Sequence, residues 1–331
     1  MTRLWKSFLG AAAAAAIAVA SLPAWAQTQL RLAHHHPVDG QIDLTAKKFA
    51  ELVEERTNGE IAVRIFPAAQ LAQELEAIDL LHQGAFDLTI VSVPPLDKYY
   101  KPAAMTVLPF LFRDWDHLQK AYRGTFGDTL AQGLRDSSNI DVIGWLGLGF
   151  KDMLFRGDPV TSLAGMSGLK MRSPEQFVYI RMFELLGAQP TPVTWGEVYT
   201  AMQMGVADGL ETPPALVLDM KFNEVVKSVV KTHHMFSSMA LAMNKPKLAG
   251  LTPEQQEIVR AAGAEAVAWA EETITIPAEA EAYDKLAAVG MTVAEVTDID
   301  AWREAVKPLW TELEERAPGS LAYIDILNAM D

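Results

Sequence analysis

The sequence predicts an α/β fold of two lobes, each built on a mainly parallel sheet flanked by helices. Short apolar runs of strand length alternate with amphipathic helical stretches, which is the pattern of βαβ units. The alternation occurs twice, over residues 29–91 and again from about residue 168. A Gly-rich extended segment at residues 145–150 separates the two series, and a second extended apolar run follows at residues 235–243. These two segments predict strands that cross between the lobes.

The first series contains three strands and two helices. Residues 30–33 predict a strand and residues 44–57 an amphipathic helix. Residues 61–65 alternate apolar with polar or small side chains, as in a half-buried strand. Residues 75–83 predict the second helix and residues 86–91 a buried strand. Strands that alternate with helices over short connections pair in parallel, so this series predicts the first sheet.

The second series repeats this organisation. Residues 169–172 predict a strand, and residues 174–186 predict a helix that Gly187 ends. Residues 197–204 predict another helix before a short strand at residues 207–210. This series predicts the second sheet.

The two series set the predicted domain limits. Residues 27–149 with 236–290 form lobe 1, and residues 150–235 form lobe 2. The chain beyond residue 252 is rich in Ala and Glu, which predicts a long helix in the C-terminal half. Residues 291–331 are predicted as a helical segment that packs on the lobes. Two lobes joined by crossing strands place a ligand cleft between them.

The N-terminus has the features of a secretory signal peptide. Arg3 and Lys6 precede an apolar stretch at residues 8–20, and small residues at Ala24 and Ala26 form a cleavage site. The apolar stretch is shorter than the roughly 20 residues that span a bilayer. We therefore predict that residues 1–26 are removed and that the protein is exported.

Composition excludes several functions. A formal net charge of −14 repels phosphate backbones, so nucleic acid is not a predicted partner. The chain has no Cys, which excludes disulfides, thiol chemistry and a lipidated cysteine. It also lacks a Gly-x-Ser-x-Gly nucleophile motif and a His-Glu-x-x-His helix. We predict neither an enzyme nor a cofactor.

Ordered motifs along the chain carry a family resemblance. They occupy residues 49–53, 57–59, 66–71, 83–87, 108–112, 168–174, 187–192, 197–199 and 205–209. With these motifs in this order, the chain resembles the periplasmic substrate-binding subunits of TRAP (tripartite ATP-independent periplasmic) transporters, of the DctP type. The resemblance extends over residues 30–269. It implies a two-lobed periplasmic binding protein that is a monomer, binds a small organic acid and delivers it to the membrane permease subunits.

The same resemblance implies roles for individual residues. Arg172, in the Gly-Leu-Lys-x-Arg motif, would bind the ligand carboxylate, since its planar fork matches a carboxylate through two parallel hydrogen bonds. Thr212 stands where the family commonly has Asn, so its contact with the carboxylate is not implied directly. Lys151 stands where many members have a second Arg. It is either a partner for a second anionic group or a solvated lysine.

Further candidates for the cleft wall come from positions around these motifs. Trp195 lies where members often place an aromatic ring against the ligand, with packing behind a helix as the alternative. His35, after the first strand, is a candidate hydrogen-bond donor. The remaining candidates are Ser92 at a strand end, Glu74, His34, Phe150 and Phe177.

A metal site is the alternative function. His34, His35 and His36 are consecutive, and His82 or nearby carboxylates would complete a site. Consecutive residues on a turn do not face one point, so they are poor tridentate ligands. Within the organic-acid hypothesis, the sequence leaves dicarboxylates, sugar acids, keto or hydroxy acids and aromatic acids open.

Overall fold

The computed structural model describes residues 27–330, so the predicted signal peptide lies outside the described residues. The strands are β1 (Thr28–Ala33), β2 (Ile61–Phe66), β3 (Leu88–Ser92), β4 (Ile140–Phe155), β5 (Lys170–Ser173), β6 (Gln189–Pro192), β7 (Gly209–Thr212), β8 (Ser228–Asn244) and β9 (Thr292–Glu295). The helices are α1 (Gln41–Arg56), α2 (Glu74–Gln83), α3 (Trp115–Tyr122), α4 (Thr125–Ser137), α5 (Phe177–Leu185), α6 (Val198–Met204), α7 (Leu216–Asp219), α8 (Lys245–Ala249), α9 (Pro253–Ala270), α10 (Ile276–Ala288), α11 (Ile299–Val306), α12 (Pro308–Arg316) and α13 (Ser320–Asn328). The elements predicted in both series are present, with their ends displaced by a few residues.

The strands form one sheet in the order β2-β1-β3-β8-β4-β7-β5-β6, with β9 paired to β8. β1 is parallel to β2 and β3, and these strands form the first half-sheet. β5 is parallel to β6 and β7, and these strands form the second half-sheet. Each half-sheet is flanked by helices and forms the centre of one lobe, as the α/β prediction required.

Two long antiparallel strands join the half-sheets. β4 and β8 pair from Ile140 opposite Asn244 to Phe155 opposite Ser228. β8 also pairs with β3 in the first half-sheet, and β4 pairs with β7 in the second. The two predicted crossing segments are the middle of β4 and the second half of β8. Both strands are buried along nearly their whole length, but they also contain buried polar residues. For this reason only parts of them appear in the sequence as apolar runs.

Separate apolar cores hold the helices on the half-sheets. Phe49 of α1 and Val259 of α9 pack with Ile90 on one face of the first half-sheet. Met202 of α6 packs with Leu210 on the second half-sheet. A larger core on the other side contains residues from α2, α3, α4 and α5.

A long helical run links the two lobes in the C-terminal half. α9 begins at Pro253 behind a capping box formed by Thr252 and Gln255. One π-helical turn at Glu271–Thr275 connects it to α10. Val259 lies in the core of the first lobe and Leu286 in that of the second. The predicted long helix of the C-terminal half is therefore present.

The C-terminal segment packs on this framework. It begins with β9, which runs parallel to β8 from Thr292 opposite Ser228. The helices α11, α12 and α13 then bury Trp302, Leu309 and Tyr323 in the larger core. β9 is too short and too polar for the sequence pattern to predict. Within residues 27–330, no helix combines the length and apolar character that a membrane span needs.

Candidate functional site

A cavity of about 150 Å³ lies between the two lobes. His35 follows β1, Glu74 begins α2 and Ser92 ends β3, and all three line it from the first lobe. Arg172 on β5, Trp195 after β6 and Thr212 on β7 line it from the second lobe, and Lys151 reaches it from β4. Ligands of open α/β sheets commonly bind at the carboxyl ends of parallel strands, and the cavity has this position.

Arg172 is the cation of the cavity wall that has no carboxylate partner. Its Nε and one terminal nitrogen donate to the Val193 carbonyl at 3.0 and 2.7 Å, and the guanidinium lies 5.6 Å from the Trp195 ring centre. No ion pair forms between Arg172 and any carboxylate of the described chain. Burial lowers its pKa from the usual value, but an arginine remains charged at neutral pH. The guanidinium is thus held in place without a direct carboxylate contact, while the negative charges of Glu211 and Glu74 act on it from further away.

The sequence left two alternatives for Lys151, a partner for an anionic group or a solvated lysine. The structure does not show a solvated lysine. The Nζ of Lys151 lies 2.7 Å from an oxygen of Glu211 and donates to the Tyr179 hydroxyl at 3.0 Å. Burial acts to lower the pKa of Lys151, but the charge of Glu211 and the contact with Tyr179 raise it by more. Lys151 is therefore a protonated amine whose charge Glu211 already balances.

Several polar atoms of the cavity residues are buried without a hydrogen-bond partner in the described chain. They include the Thr212 hydroxyl, the Trp195 indole nitrogen and Nδ1 of His35. Each lost hydrogen bond of a buried polar group costs about 1–3 kcal/mol. Unsatisfied groups around one cavity are those that a polar ligand would satisfy.

Glu74 brings a carboxylate to the first-lobe side of the cavity. One of its oxygens accepts the backbone N–H of Ser92 at 2.7 Å and lies 3.8 Å from Nε2 of His35. The side chain is 17% exposed, so part of its surface faces open space. Glu74 is an acceptor suited to hydroxyl donors.

Three predicted residues lie away from this cavity. His34 is buried against Asp43, with its Nε2 3.1 Å from a carboxylate oxygen, because the β1 strand turns its side chain toward α1. Phe150 packs edge-on against Phe236 in the larger core. The Arg316 guanidinium lies over Phe177, with its central carbon 4.1 Å from the Phe177 ring centre, beside a second and more open depression.

The three consecutive histidines do not converge, and the metal-binding alternative is not supported. His34 faces Asp43, His35 faces Glu74, and the His36 ring lies 6.3 Å from that of Trp195 across the cleft. His82 stacks on Tyr99. Within the described chain no group of three or more His, Asp or Glu side chains is arranged to hold a metal ion.

Two residues of the site were not predicted. Glu211 is adjacent to Thr212 in a quoted part of the sequence, but nothing there indicates that it pairs with Lys151. Tyr179 is one of several apolar or aromatic residues on α5. Their roles depend on contacts across 28 residues or more of sequence, which local patterns do not reveal.

Comparisons with known proteins agree with this fold and cleft. The sequence profile of the bacterial extracellular solute-binding proteins, family 7 (DctP), matches residues 32–316. A solute-binding protein of Roseobacter denitrificans is 32% identical over 307 residues, which cover 92% of this chain and 93% of the relative. The C4-dicarboxylate-binding periplasmic protein DctP of Rhodobacter capsulatus is 31% identical over 327 residues, 95% of each chain.

A crystal structure of a similar protein has the same fold. A TRAP periplasmic solute-binding protein from Sulfitobacter sp. NAS-14.1, with bound β-D-galacturonate, superposes with a TM-score of 0.86. It is 27% identical, and the match covers 91% of this chain and 99% of that one. The fold and the cleft define a two-lobed solute-binding protein. The chain belongs to the bacterial extracellular solute-binding proteins of family 7, the DctP family.

Proposed function

We propose that this protein captures a small organic acid in the cleft between its lobes and delivers it to the membrane permease of a TRAP transporter. The observation that supports the proposal most directly is Arg172. Its guanidinium is buried, fixed by the Val193 carbonyl and unpaired with any carboxylate of the described chain. A carboxylate that meets it in a site from which water is excluded gains more than the same pair gains in water.

The remaining site residues have supporting roles in this proposal. Trp195 would stack beside the bound acid and donate its indole N–H, and Thr212 would donate or accept through its hydroxyl. Lys151, Ser92, Glu74 and His35 would complete the wall around the rest of the ligand. No residue of this set is placed as a nucleophile, so binding without chemistry is the function proposed.

The proposed organisation follows the sheet. Residues 27–149 with 236–290 would move as one lobe and residues 150–235 as the other, with residues 291–331 packed on both. β4 and β8 would act as the hinge, because they are the strands that pass from one half-sheet to the other. Ligand contacts with both lobes would then favour the closed state.

The proposed location is the periplasm, and the proposed working form is a monomer. The location rests on the family and on the N-terminal sequence, whose basic start and apolar stretch are typical of a signal peptide. The monomer rests on the family alone. Export would be tested by the N-terminal sequence of the secreted protein, which should begin at Gln27. Light scattering of that material would test the monomer.

A thermal-shift screen of the chain from Gln27 tests the proposed function. The screen would contain organic acids, neutral sugars, amino acids and divalent metal ions. A ligand at a hundred times its Kd adds about 2.7 kcal/mol to the free energy of unfolding, which raises the melting temperature measurably. We expect organic acids alone to stabilise the protein. Stabilisation by metal ions or neutral sugars without any acid would contradict the proposal.

A further inference from the structure

A carboxylate of the first lobe faces the space in which the acid would bind. Glu74 lines the cavity from the first lobe and Arg172 from the second, and the negative charge of Glu74 acts on the guanidinium. A ligand carboxylate that binds Arg172 therefore enters the field of Glu74 as well. In a cavity from which water is excluded, the repulsion between two such anions is stronger than in solution.

The other charges around the cavity do not compensate an anion. Lys151 and Arg172 line it with positive charge, and Glu74 and the exposed Glu175 line it with negative charge. Glu211 lies 2.7 Å from Lys151 and adds a third carboxylate. Two cations and three carboxylates have a formal charge of −1 before any ligand enters. An acid anion makes this charge more negative unless a proton enters with it.

His35 is the titratable group beside Glu74. Its Nε2 lies 3.8 Å from the Glu74 carboxylate, and its side chain is 4% exposed. Its Nδ1 is buried and has no hydrogen-bond partner within residues 27–330. A neutral imidazole has one N–H group, whereas a protonated imidazole has two. Protonation would therefore give His35 one N–H for Glu74 and a second for an oxygen of the bound acid.

The neighbouring groups do not take up this proton near neutral pH. Burial lowers the pKa of His34, and it lowers the pKa of His36 well below the usual value, so both imidazoles stay neutral. Burial raises the pKa of Tyr179, so its hydroxyl keeps its proton. Lys151 is already a protonated amine. Within the cavity wall, the pair of His35 and Glu74 is left as the place for an added proton.

We propose that the pair of His35 and Glu74 takes up a proton from the solvent when the protein binds an organic acid, so that affinity falls as the pH rises. The proposal rests on the proposed function and adds a bound proton to the acid in the same cavity. The proton belongs to the pair, because the two groups titrate together. By linkage, a complex that holds more protons than its free components is favoured at low pH and weakened as the pH rises.

Calorimetric titration of the chain from Gln27 counts the protons. The probes are D-galacturonate, L-malate, pyruvate and benzoate, one from each class of acid that the sequence left open. Their carboxyl groups are already ionised above about pH 6, so the proton is not one that the acid brings. Titration at about pH 7.5 in phosphate and in Tris, two buffers with different ionisation enthalpies, gives the number of protons taken up.

We expect an uptake of about half to one proton for each acid bound, and a Kd that rises at least about tenfold between about pH 6 and about pH 8.5. Binding without proton uptake and with a constant Kd would overturn the inference and leave the proposed function intact. If none of the four probes binds, the organic acid that stabilises the protein in the thermal-shift screen takes their place. If no acid stabilises the protein there, the inference fails together with the proposed function.

The variant His35→Gln tests the site of protonation. Glutamine does not titrate, so proton uptake should fall to nearly zero and the Kd should no longer change with pH. His82→Gln is the matched control, because His82 lies in the last turn of α2, stacked on Tyr99, and does not line the cavity. Its proton uptake should equal that of the unchanged protein. Undiminished uptake in folded His35→Gln would show that the proton binds elsewhere and overturn the assignment.

The variant Glu74→Gln tests the other member of the pair and keeps the test decisive if His35→Gln does not fold. It removes the charge that faces the acid but retains an oxygen for the backbone N–H of Ser92. With one anion fewer beside the imidazole, proton uptake at about pH 7.5 should fall at least about twofold. Glu76→Gln, at an exposed position in the same first turn of α2, should not change it. Equal uptake in folded Glu74→Gln and in the unchanged protein would contradict a role for Glu74. Circular dichroism confirms folding before each titration.

Discussion

Arg172 has a geometry that its neighbours impose. The Val193 carbonyl takes two of its N–H donors and the Trp195 ring lies beside the guanidinium, so its remaining donors are directed by the fold rather than by the ligand. A side chain fixed in this way loses little conformational entropy when it binds. This arrangement explains why an arginine suits the position better than a flexible lysine.

Thr212 provides the sharpest prediction for a single residue. Its hydroxyl is buried without a partner in the described chain, so Thr212→Val should leave the free energy of unfolding unchanged or raise it slightly. The same change should weaken binding of the acid about tenfold, because one hydrogen bond to the ligand is lost. Chemical denaturation and titration calorimetry measure the two effects.

Thr89→Val is the matched control for this prediction. The Thr89 hydroxyl is also buried, but it donates to the Ala33 carbonyl at 2.9 Å. Its removal should lower the free energy of unfolding by about 1 kcal/mol and leave affinity unchanged. A loss of stability in Thr212→Val without a loss of affinity would show that Thr212 has a structural role instead.

The sequence indicated those cavity residues that lie in motifs, and their roles in binding stay predictions. Arg172, Thr212 and Lys151 each occupy a recognisable position, and all three line the cavity. Glu211 and Tyr179 were missed because their partner, Lys151, is brought to them by the pairing of β4 with β7 and by the packing of α5. His34 was assigned to the site because nothing local indicates that Asp43 pairs with it.

At the scale of elements, the middle of β4 is the point where the two lobes meet. The β4–β8 register shifts between Gly147 and Phe150, which marks a bulge. Glu271, in the π-helical turn, accepts the Gly147 N–H at 2.9 Å, and Glu279 on α10 accepts the indole N–H of Trp115 at 2.9 Å. Burial raises the pKa of both carboxyl groups. The long helical run thus contacts the bulge that immediately precedes Lys151.

Gly149 makes this bulge possible. Its φ is +111°, a region that side chains rarely adopt, and a Cβ there would lie 2.7 Å from a carboxylate oxygen of Glu279. Gly149→Ala should therefore lower the free energy of unfolding by about 1–3 kcal/mol, measured by urea denaturation. Gly157→Ala is the control, since its Cβ would meet no atom within 4 Å. Equal effects of the two substitutions would contradict this account of the bulge.

The sequence predicted the strands and helices of both half-sheets because each strand is a short apolar or alternating run and each helix is amphipathic. It indicated only the middle of β4 and the second half of β8, whose 16 and 17 residues include polar side chains that are nonetheless buried. Asp152, for example, is fully buried and accepts the backbone N–H groups of Thr232 and His233. Such a strand cannot be recognised by hydrophobicity, because hydrogen bonds from distant residues compensate its polar groups.

At the scale of the whole molecule, the cavity draws its wall from both lobes and from the strands that join them. His36 of the first lobe faces Trp195 of the second, with ring centres 6.3 Å apart, so the two lobes approach each other at the rim. A ligand in the cavity would contact residues of both lobes, and these residues would be close to one another only when the cleft is closed. Affinity and closure are then one equilibrium, which is the property that a permease needs to recognise the loaded protein.

The most direct test of the central claim is calorimetric titration of Arg172→Ala with the acid that best stabilises the unchanged protein. Arg181→Ala is the control, because Arg181 lies on α5 of the same lobe but pairs with Glu312 at the surface. We predict at least about a 100-fold loss of affinity in Arg172→Ala and none in Arg181→Ala, since a buried ionic partner is removed only in the first. Micromolar binding retained by a folded Arg172→Ala would show that the acid is held by other groups.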